Sequence, residues 1–98
     1  MPFELVKEDP EWTLILSGVV DIFDAAALHV AVIEAAGLAP GGVVVKMSSV
    51  EAVDGSITQV LLALRHALVA AGKSLRLEDV PAPVAERWRL AGLGAALA

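Results

Sequence analysis

The segment from residue 43 to residue 69, VVVKMSSVEAVDGSITQVLLALRHALV, most constrains how this chain can fold. It begins with three consecutive valines, a β-branched run typical of a strand that is covered on both faces. Residues 48–54 are predicted as a loop. Apolar residues then recur at helical spacing and predict an amphipathic helix that ends at Gly72: Ile57, Val60, Leu61, Leu64, Leu68 and Ala71. The segment therefore predicts a strand, a loop and a helix, joined at residues 54–59.

The residues before this unit predict a β-hairpin. Strand-forming residues at 3–8 and 12–17 flank Asp9-Pro10-Glu11, a sequence suited to a tight connection. Gly18 is expected to end the second strand, and residues 19–23 are expected to form an apolar connector.

A first helix is predicted over residues 25–36. Asp24 is the expected N-cap, because its carboxylate can accept from the free N–H groups of the first turn. Gly37 is expected to stop the helix. The buried stripe is predicted to contain Leu28, Val32, Ala35 and Ala36, with His29 beside it at the surface.

The residues after the central unit predict one more strand and one more helix. Residues 74–78 alternate polar and apolar side chains, and residues 84–90 form a helix around Trp88, which is expected to pack in the core. The apolar tail over 92–98 is expected to pack either on its own sheet or on a second copy. The order β-β-α-β-α-β-α predicts a single α/β domain over residues 1–98, with a mixed, mostly parallel sheet packed with helices.

Composition excludes several classes of function. The net charge of −5 disfavours nucleic acid as a partner. The chain has no cysteine, and its two histidines make a poor metal set, so neither a metal nor a cofactor is expected. Its apolar runs are too short to span a bilayer, and the N-terminus lacks a signal-peptide pattern, so we expect a cytoplasmic protein without membrane insertion.

The join at residues 54–59 is the strongest candidate for a functional site, because a helix N-terminus presents unpaired N–H groups. Ser56 and Gln59 fit a capping box, and Asp54 suits the same free N–H groups. A hydrolase is disfavoured, because His66 lies on the order of 15 Å along the helix from Ser56. We therefore do not expect an enzyme.

The order of elements and two motifs together resemble the STAS domain family, which includes anti-sigma factor antagonists and the cytoplasmic domains of sulfate transporters. The motifs are Gly18-x-x-Asp21 before the first helix and VVVKMSSVEAVDGSITQVLLAL, in which Met47, Ser48, Val50, Val53 and Asp54 are in register with the family pattern. The endings Gly72-x-x-Leu75-x-Leu77 and Leu90-x-Gly92-Leu93 also match. The resemblance covers the whole chain and implies the STAS fold.

The chain departs from the family pattern at three positions. In antagonists of the partner-switching type, a kinase phosphorylates the hydroxyl residue directly after the Asp, and that position is Gly55 here. Lys46 replaces the usual Asp at the end of the third strand, and Ile57 replaces a Gly. Ser56 is the nearest alternative phosphosite, although capping the helix is reason enough for its presence.

The resemblance implies a non-enzymatic interaction module. Its expected partner is a switch kinase that doubles as an anti-sigma factor, bound either constitutively or under control of Ser56. The alternative is a STAS subunit that supports the ATPase of an ABC-type lipid-transport assembly. A fragment of a larger sensor is a third hypothesis, which the start at Met1 disfavours, and the chain is expected to be a monomer or a weak homodimer. The predicted partner-binding residues are Asp21, Ile22, Phe23, Ser48, Ser49, Val50, Asp54, Gly55, Ser56, Ile57 and Gln59.

Overall fold

A computed structural model describes residues 2–97 and shows one four-stranded sheet. The strands lie in the order β1-β2-β3-β4. β1 pairs with β2 antiparallel, whereas β2, β3 and β4 are parallel. The mixed, mostly parallel sheet predicted from the sequence is therefore confirmed. The strands are β1 (Phe3–Val6), β2 (Glu11–Val20), β3 (Gly42–Val53) and β4 (Ser74–Glu78).

Helices connect the parallel strands. α1 links β2 to β3 and α2 links β3 to β4, so the predicted order β-β-α-β-α-β-α is confirmed, with a short fourth helix added. Both crossovers step in the same direction along the sheet, and crossovers of one hand then place their helices on the same face. The helices are α1 (Ile22–Leu38), α2 (Gly55–Ala70), α3 (Ala82–Leu90) and α4 (Gly94–Leu97).

The core lies between the sheet and the α1–α2 layer. Trp12, Leu14 and Leu16 alternate along β2 and are buried on its inner face. The predicted stripes of both helices are buried, except that Ala71 is exposed at the end of α2. Met47 on β3 and Trp88 on α3 complete the same apolar cluster. Periodicity thus located most of the core correctly.

One glycine is required by close packing between β3 and β4. Gly42 has φ of +128°, and a Cβ atom built there would lie 1.9 Å from the carbonyl oxygen of Ser74. Only glycine allows the two strand starts to approach this closely.

Strands β2 and β3 are longer than predicted. Gly18 does not end β2, which continues to Val20, and residues 48–53 belong to β3 and not to a loop. The two extensions pair with each other across register shifts, one of them between Gly18 and Val19. Gly18 has φ of +68°, so it forms an irregularity inside the strand where a stop was predicted.

The first helix also has different ends. It begins at Ile22, so the expected connector over 19–23 is strand, cap and helix in turn. Asp21 is the N-cap, and Asp24 lies in the first turn. Gly37 lies within the helix, which ends at Leu38.

The C-terminal region closes on its own chain. α3 begins at Ala82, two residues earlier than predicted, because Pro83 is tolerated in the first turn of a helix. Leu97 of α4 is buried with an exposed fraction of 2%. The described part of the tail therefore packs on its own chain, while Ala98 lies outside the described residues.

Candidate docking site at the start of the second helix

The ends of β2 and β3 bring two aspartates to one edge of the sheet. Val20 and Val53, the last residues of these parallel strands, pair in register. Asp21 and Asp54 follow them directly and are the N-caps of α1 and α2. Two strand–aspartate–helix units therefore stand side by side, although they are far apart in the sequence.

Asp21 closes a reciprocal capping box at the start of α1. Its Oδ1 accepts the backbone N–H of Phe23 over 3.1 Å. The carboxylate of Asp24 reaches back and accepts the N–H of Asp21 over 3.2 Å. Two carboxylates therefore accept free N–H groups at the start of α1 and stabilise its first turn.

Asp54 caps its own helix and also contacts the neighbouring one. Its Oδ1 accepts the hydroxyl of Ser56 over 2.5 Å and the N–H of Ile57 over 3.1 Å. Its Oδ2 accepts the N–H of Ile22, the first residue of α1, over 2.9 Å. One carboxylate therefore links the starts of both helices.

These hydrogen bonds change the acidity of Asp54. The hydroxyl of Ser56 and, next, the N–H of Ile57 lower the pKa of the Asp54 carboxyl below its usual value, because they stabilise the charged form. Asp54 is thus a fixed anion at neutral pH, and it lies where the dipoles of two helices favour negative charge.

Ser56 does not form the capping box predicted with Gln59. The helix begins at Gly55, and the capping acceptor is Asp54, so Ser56 lies inside the first turn. Its hydroxyl is half-buried and donates to the Asp54 carboxylate. Gln59 is exposed, and Gly55 is exposed with no described atom within 4 Å of a Cβ built there.

A buried hydrogen-bond chain joins this turn to α3. The indole Nε1–H of Trp88 donates to the hydroxyl oxygen of Thr58 over 3.0 Å. That hydroxyl donates in turn to the backbone carbonyl of Asp54 over 3.1 Å. Sequence analysis overlooked Thr58, since only the tertiary structure brings it to Trp88.

A pocket of about 290 Å³ opens between the start of helix α2 and helix α3. Its walls include Gly55, Gln59, Arg87 and Trp88. Small-molecule sites usually occupy roughly 300–1,000 Å³. This pocket therefore lies at the lower edge of that range.

A family comparison decides what kind of domain carries this site. Residues 3–98 match the family model described as "Mlab, STAS domain". The chain belongs to the STAS domain family. No curated protein sequence matches the chain.

Solved structures agree with the STAS fold. The unphosphorylated form of the anti-sigma factor antagonist SpoIIAA aligns with a TM-score of 0.85 and 17% identity, over 98% of this chain and 85% of that one. The phosphorylated form of the same Bacillus protein aligns with a TM-score of 0.80 and 16% identity, over 98% of this chain and 88% of that one. Mglu aligns with a TM-score of 0.68 and 23% identity. The alignment covers 83% of this chain but only 20% of the Mglu chain. At these identities the similarity shows the fold.

The STAS domain brings together only some of the residues predicted to bind a partner. Asp54 forms hydrogen bonds with Ile22, Ser56 and Ile57, and Asp21 forms one with Phe23 at the adjoining start of α1. Gly55 is exposed at the start of α2, and the exposed side chain of Gln59 lies about one turn further along the helix. Ile22 is 65% exposed and Phe23 is 92% exposed, which is unusual for large apolar side chains.

The side chains of the other four predicted residues do not lie at this exposed surface. Ser48 and Ser49 are exposed on β3, and Ser49 is on the order of 15 Å along the strand from Asp54. The side chains of Val50 and Ile57 are buried in the core, with exposed fractions of 7% and 0%, and are not accessible to a partner. Lys46, which replaces the family's usual Asp, takes part in none of the ion pairs of residues 2–97.

Residues 2–97 contain no group of three or more acidic or histidine side chains placed to hold a metal ion. Within the same residues, every helix is too short or too polar to cross a membrane.

Proposed function

We propose that this STAS domain is a non-enzymatic module that docks on a protein partner. The docking surface consists of residues at the paired helix starts: Asp21, Ile22, Phe23, Asp54, Gly55, Ser56 and Gln59. The observation that carries the proposal is the hydrogen bond between Asp54 and the N–H of Ile22. It holds the backbone at the start of α1, where Ile22 and Phe23 expose large apolar side chains, against the start of α2.

The surface has the features of an interaction site. Its exposed apolar side chains, Ile22 and Phe23, would be desolvated on binding, and Asp21 and Gln59 add polar groups to the same surface. The adjoining pocket offers space for one side chain of the partner beside the exposed Arg87. Because the hydrogen bonds already order both helix starts, little conformational entropy would be lost on docking.

The first candidate partner is a switch kinase that acts as an anti-sigma factor. Its support is the agreement in fold with SpoIIAA, over nearly the full length of both chains. Docking would release the sigma factor that the kinase holds. We propose constitutive binding, because Gly55 has no hydroxyl and the hydroxyl of Ser56 is engaged with Asp54. A phosphate on Ser56 would place its charge against that carboxylate.

The second candidate is the ATPase of an ABC-type lipid-transport assembly. The absence of a hydroxyl at position 55 favours it, since a permanently docked subunit needs no phosphorylation switch. The rigid hydrogen-bond network at the helix starts suits permanent docking equally well. The two candidates differ in the partner and share the docking surface.

The test is affinity capture from the native cell with the wild type and Gln59→Arg, followed by binding of the purified partner. Gln59 is exposed, so the substitution changes the surface and leaves the core intact. The matched control is Val69→Glu, which alters an exposed residue at the other end of α2. We expect Gln59→Arg to weaken binding and Val69→Glu to leave it unchanged.

The identity of the captured protein separates the two candidates. A histidine-kinase-like ATPase supports the first, and an ABC ATPase with a permease supports the second. If both variants bind the purified partner as tightly as the wild type, the docking surface is wrong.

A further inference from the structure

Helix α1 has an apolar face that nothing in residues 2–97 covers. One side of the helix packs in the core, and the other side exposes large apolar residues whose exposed fractions run from 44% to 92%. Phe23, Val30 and Gly37 follow at intervals of seven residues and mark the centre line of this side. We call it the α1 face; it consists of Ile22, Phe23, Ala26, Ala27, Val30, Ile33, Glu34, Gly37 and Leu38.

The area of the α1 face is sufficient for a protein interface. Its five large apolar side chains expose on the order of 600 Å². The largest apolar patch on a typical monomer reaches roughly 300–600 Å². Each partner in a standard interface contributes about 800 Å², which the α1 face approaches once its alanines and backbone are added.

The sequence of the α1 face is complementary to itself. Val30 is the middle residue of α1, which runs from Ile22 to Leu38. In an antiparallel pair of helices related by a two-fold axis at Val30, residues equally far before and after position 30 lie opposite each other. Phe23 then faces Gly37 of the second copy, and Ile33 faces Ala27. Two of the large side chains therefore meet small residues, while Ile22 faces Leu38 and Val30 faces its own copy on the axis.

Charge does not oppose this pairing. Glu34 is the one charged residue of the α1 face, and its carboxylate pairs with Lys7 of the same chain. In the two-fold register Glu34 lies opposite Ala26 of the second copy, so like charges do not meet. The antiparallel arrangement also places the dipoles of the two helices in opposite directions.

Gly37 is not explained by packing within the chain. It lies inside the helix, where glycine is unfavourable relative to alanine. A Cβ atom built at Gly37 would meet no described atom within 4 Å beyond its chain neighbours and its own helix backbone, and its φ is not in the left-handed region. An approaching Phe23 from a second copy would use the space that a side chain at position 37 would fill.

We propose that the STAS domain forms a homodimer in which two α1 faces pack antiparallel about a two-fold axis at Val30. The proposal does not rest on the proposed partner, because dimerisation is measured with the purified chain alone. Ile22 and Phe23 belong to both the α1 face and the docking surface. On the proposed function, the dimer and the partner complex therefore exclude each other.

The first test measures the mass of the purified full chain by sedimentation velocity across a range of concentrations. We expect a dimer that dissociates on dilution. Val30→Glu places two carboxylates against each other on the axis and is expected to raise the dissociation constant by at least about tenfold. Leu90→Glu, at a residue of α3 that is 72% exposed, is the matched control and should dimerise like the wild type. A wild type that stays monomeric, or equal effects of both variants, overturns the proposal.

The second test examines the register by cross-linking. The chain has no cysteine, so a single introduced cysteine reacts only with its copy. On the axis, Val30→Cys should form a disulfide-linked dimer under mild oxidation, while Leu90→Cys should not. Ile22→Cys and Leu38→Cys should each cross-link weakly alone and efficiently when mixed. Equal cross-linking by Val30→Cys and Leu90→Cys would contradict the two-fold register.

Discussion

The Oδ2 atom of Asp54 accepts the backbone N–H of Ile22 over 2.9 Å, joining residues that are 32 positions apart in the chain. This hydrogen bond makes the starts of α1 and α2 one structural unit. The Oδ1 atom of Asp54 at the same time accepts the hydroxyl of Ser56 and the backbone N–H of Ile57. Asp54 therefore holds together the surface that we propose as the docking site.

Asp54→Ala should destabilise the fold more than Asp21→Ala does. Asp21→Ala removes one N-cap and should lower the free energy of unfolding by about 0.5–2 kcal/mol. Asp54→Ala removes acceptors from both helices and should lower it further. Chemical denaturation monitored by circular dichroism gives both values. Equal losses would mean that the bond to Ile22 contributes nothing.

The stability that Asp54 contributes should depend on pH. Its pKa is lowered in the folded state, mainly by the hydrogen bond from Ser56, from an unfolded value of about 3.9. The contribution is therefore complete above the unfolded pKa and is lost as the pH falls through the folded pKa.

The measurement is NMR titration of the Asp54 carboxyl, with denaturation curves between neutral and acid pH. Ser56→Ala removes the largest cause of the shift and should move the pKa upward. Asp54→Asn should remove this residue's share of the acid sensitivity. A carboxyl that titrates at its usual value in the wild type would contradict the observed network.

Thr58→Val should destabilise the protein, although the two side chains have nearly the same shape. The substitution leaves the buried indole N–H of Trp88 without an acceptor, which costs about 1–3 kcal/mol. Thr58→Ser keeps the hydroxyl and is the control. Tryptophan fluorescence during denaturation reports the change, and equal stability of both variants would show that the hydrogen bond is dispensable.

Gly55→Ser should restore a phosphosite if the partner is a switch kinase. A Cβ built at position 55 meets no described atom within 4 Å, so the side chain fits without rearrangement. The purified kinase and ATP should then phosphorylate Gly55→Ser, while the wild type and Gly55→Ala should remain unmodified. Intact-mass spectrometry measures the added phosphate. Phosphate on Ser56 of the wild type would replace constitutive binding with a switch at that residue.

Local patterns in the sequence determined the order of elements and most of the core. The apolar residues of α2 that periodicity selected, such as Leu61 and Leu64, are buried because a helix repeats its face every few residues whatever lies beside it. The three valines at 43–45 are buried for a similar local reason. The pattern that selects these residues is local in the sequence, although the packed sheet and helices are what bury them.

Tertiary structure decided the details of the docking surface. Residues 48–53 form strand rather than loop because they pair with the end of β2, which lies about thirty residues earlier. The N-cap of α1 is Asp21 and not the predicted Asp24, and the N-cap of α2 is Asp54 and not Ser56. The strand ends set where each helix begins. Whether Asp54 also reaches Ile22 depends on two parallel strands ending at the same edge. Spacing along the chain carries no information about such a contact, because the hydrogen bond forms only after the strands have paired.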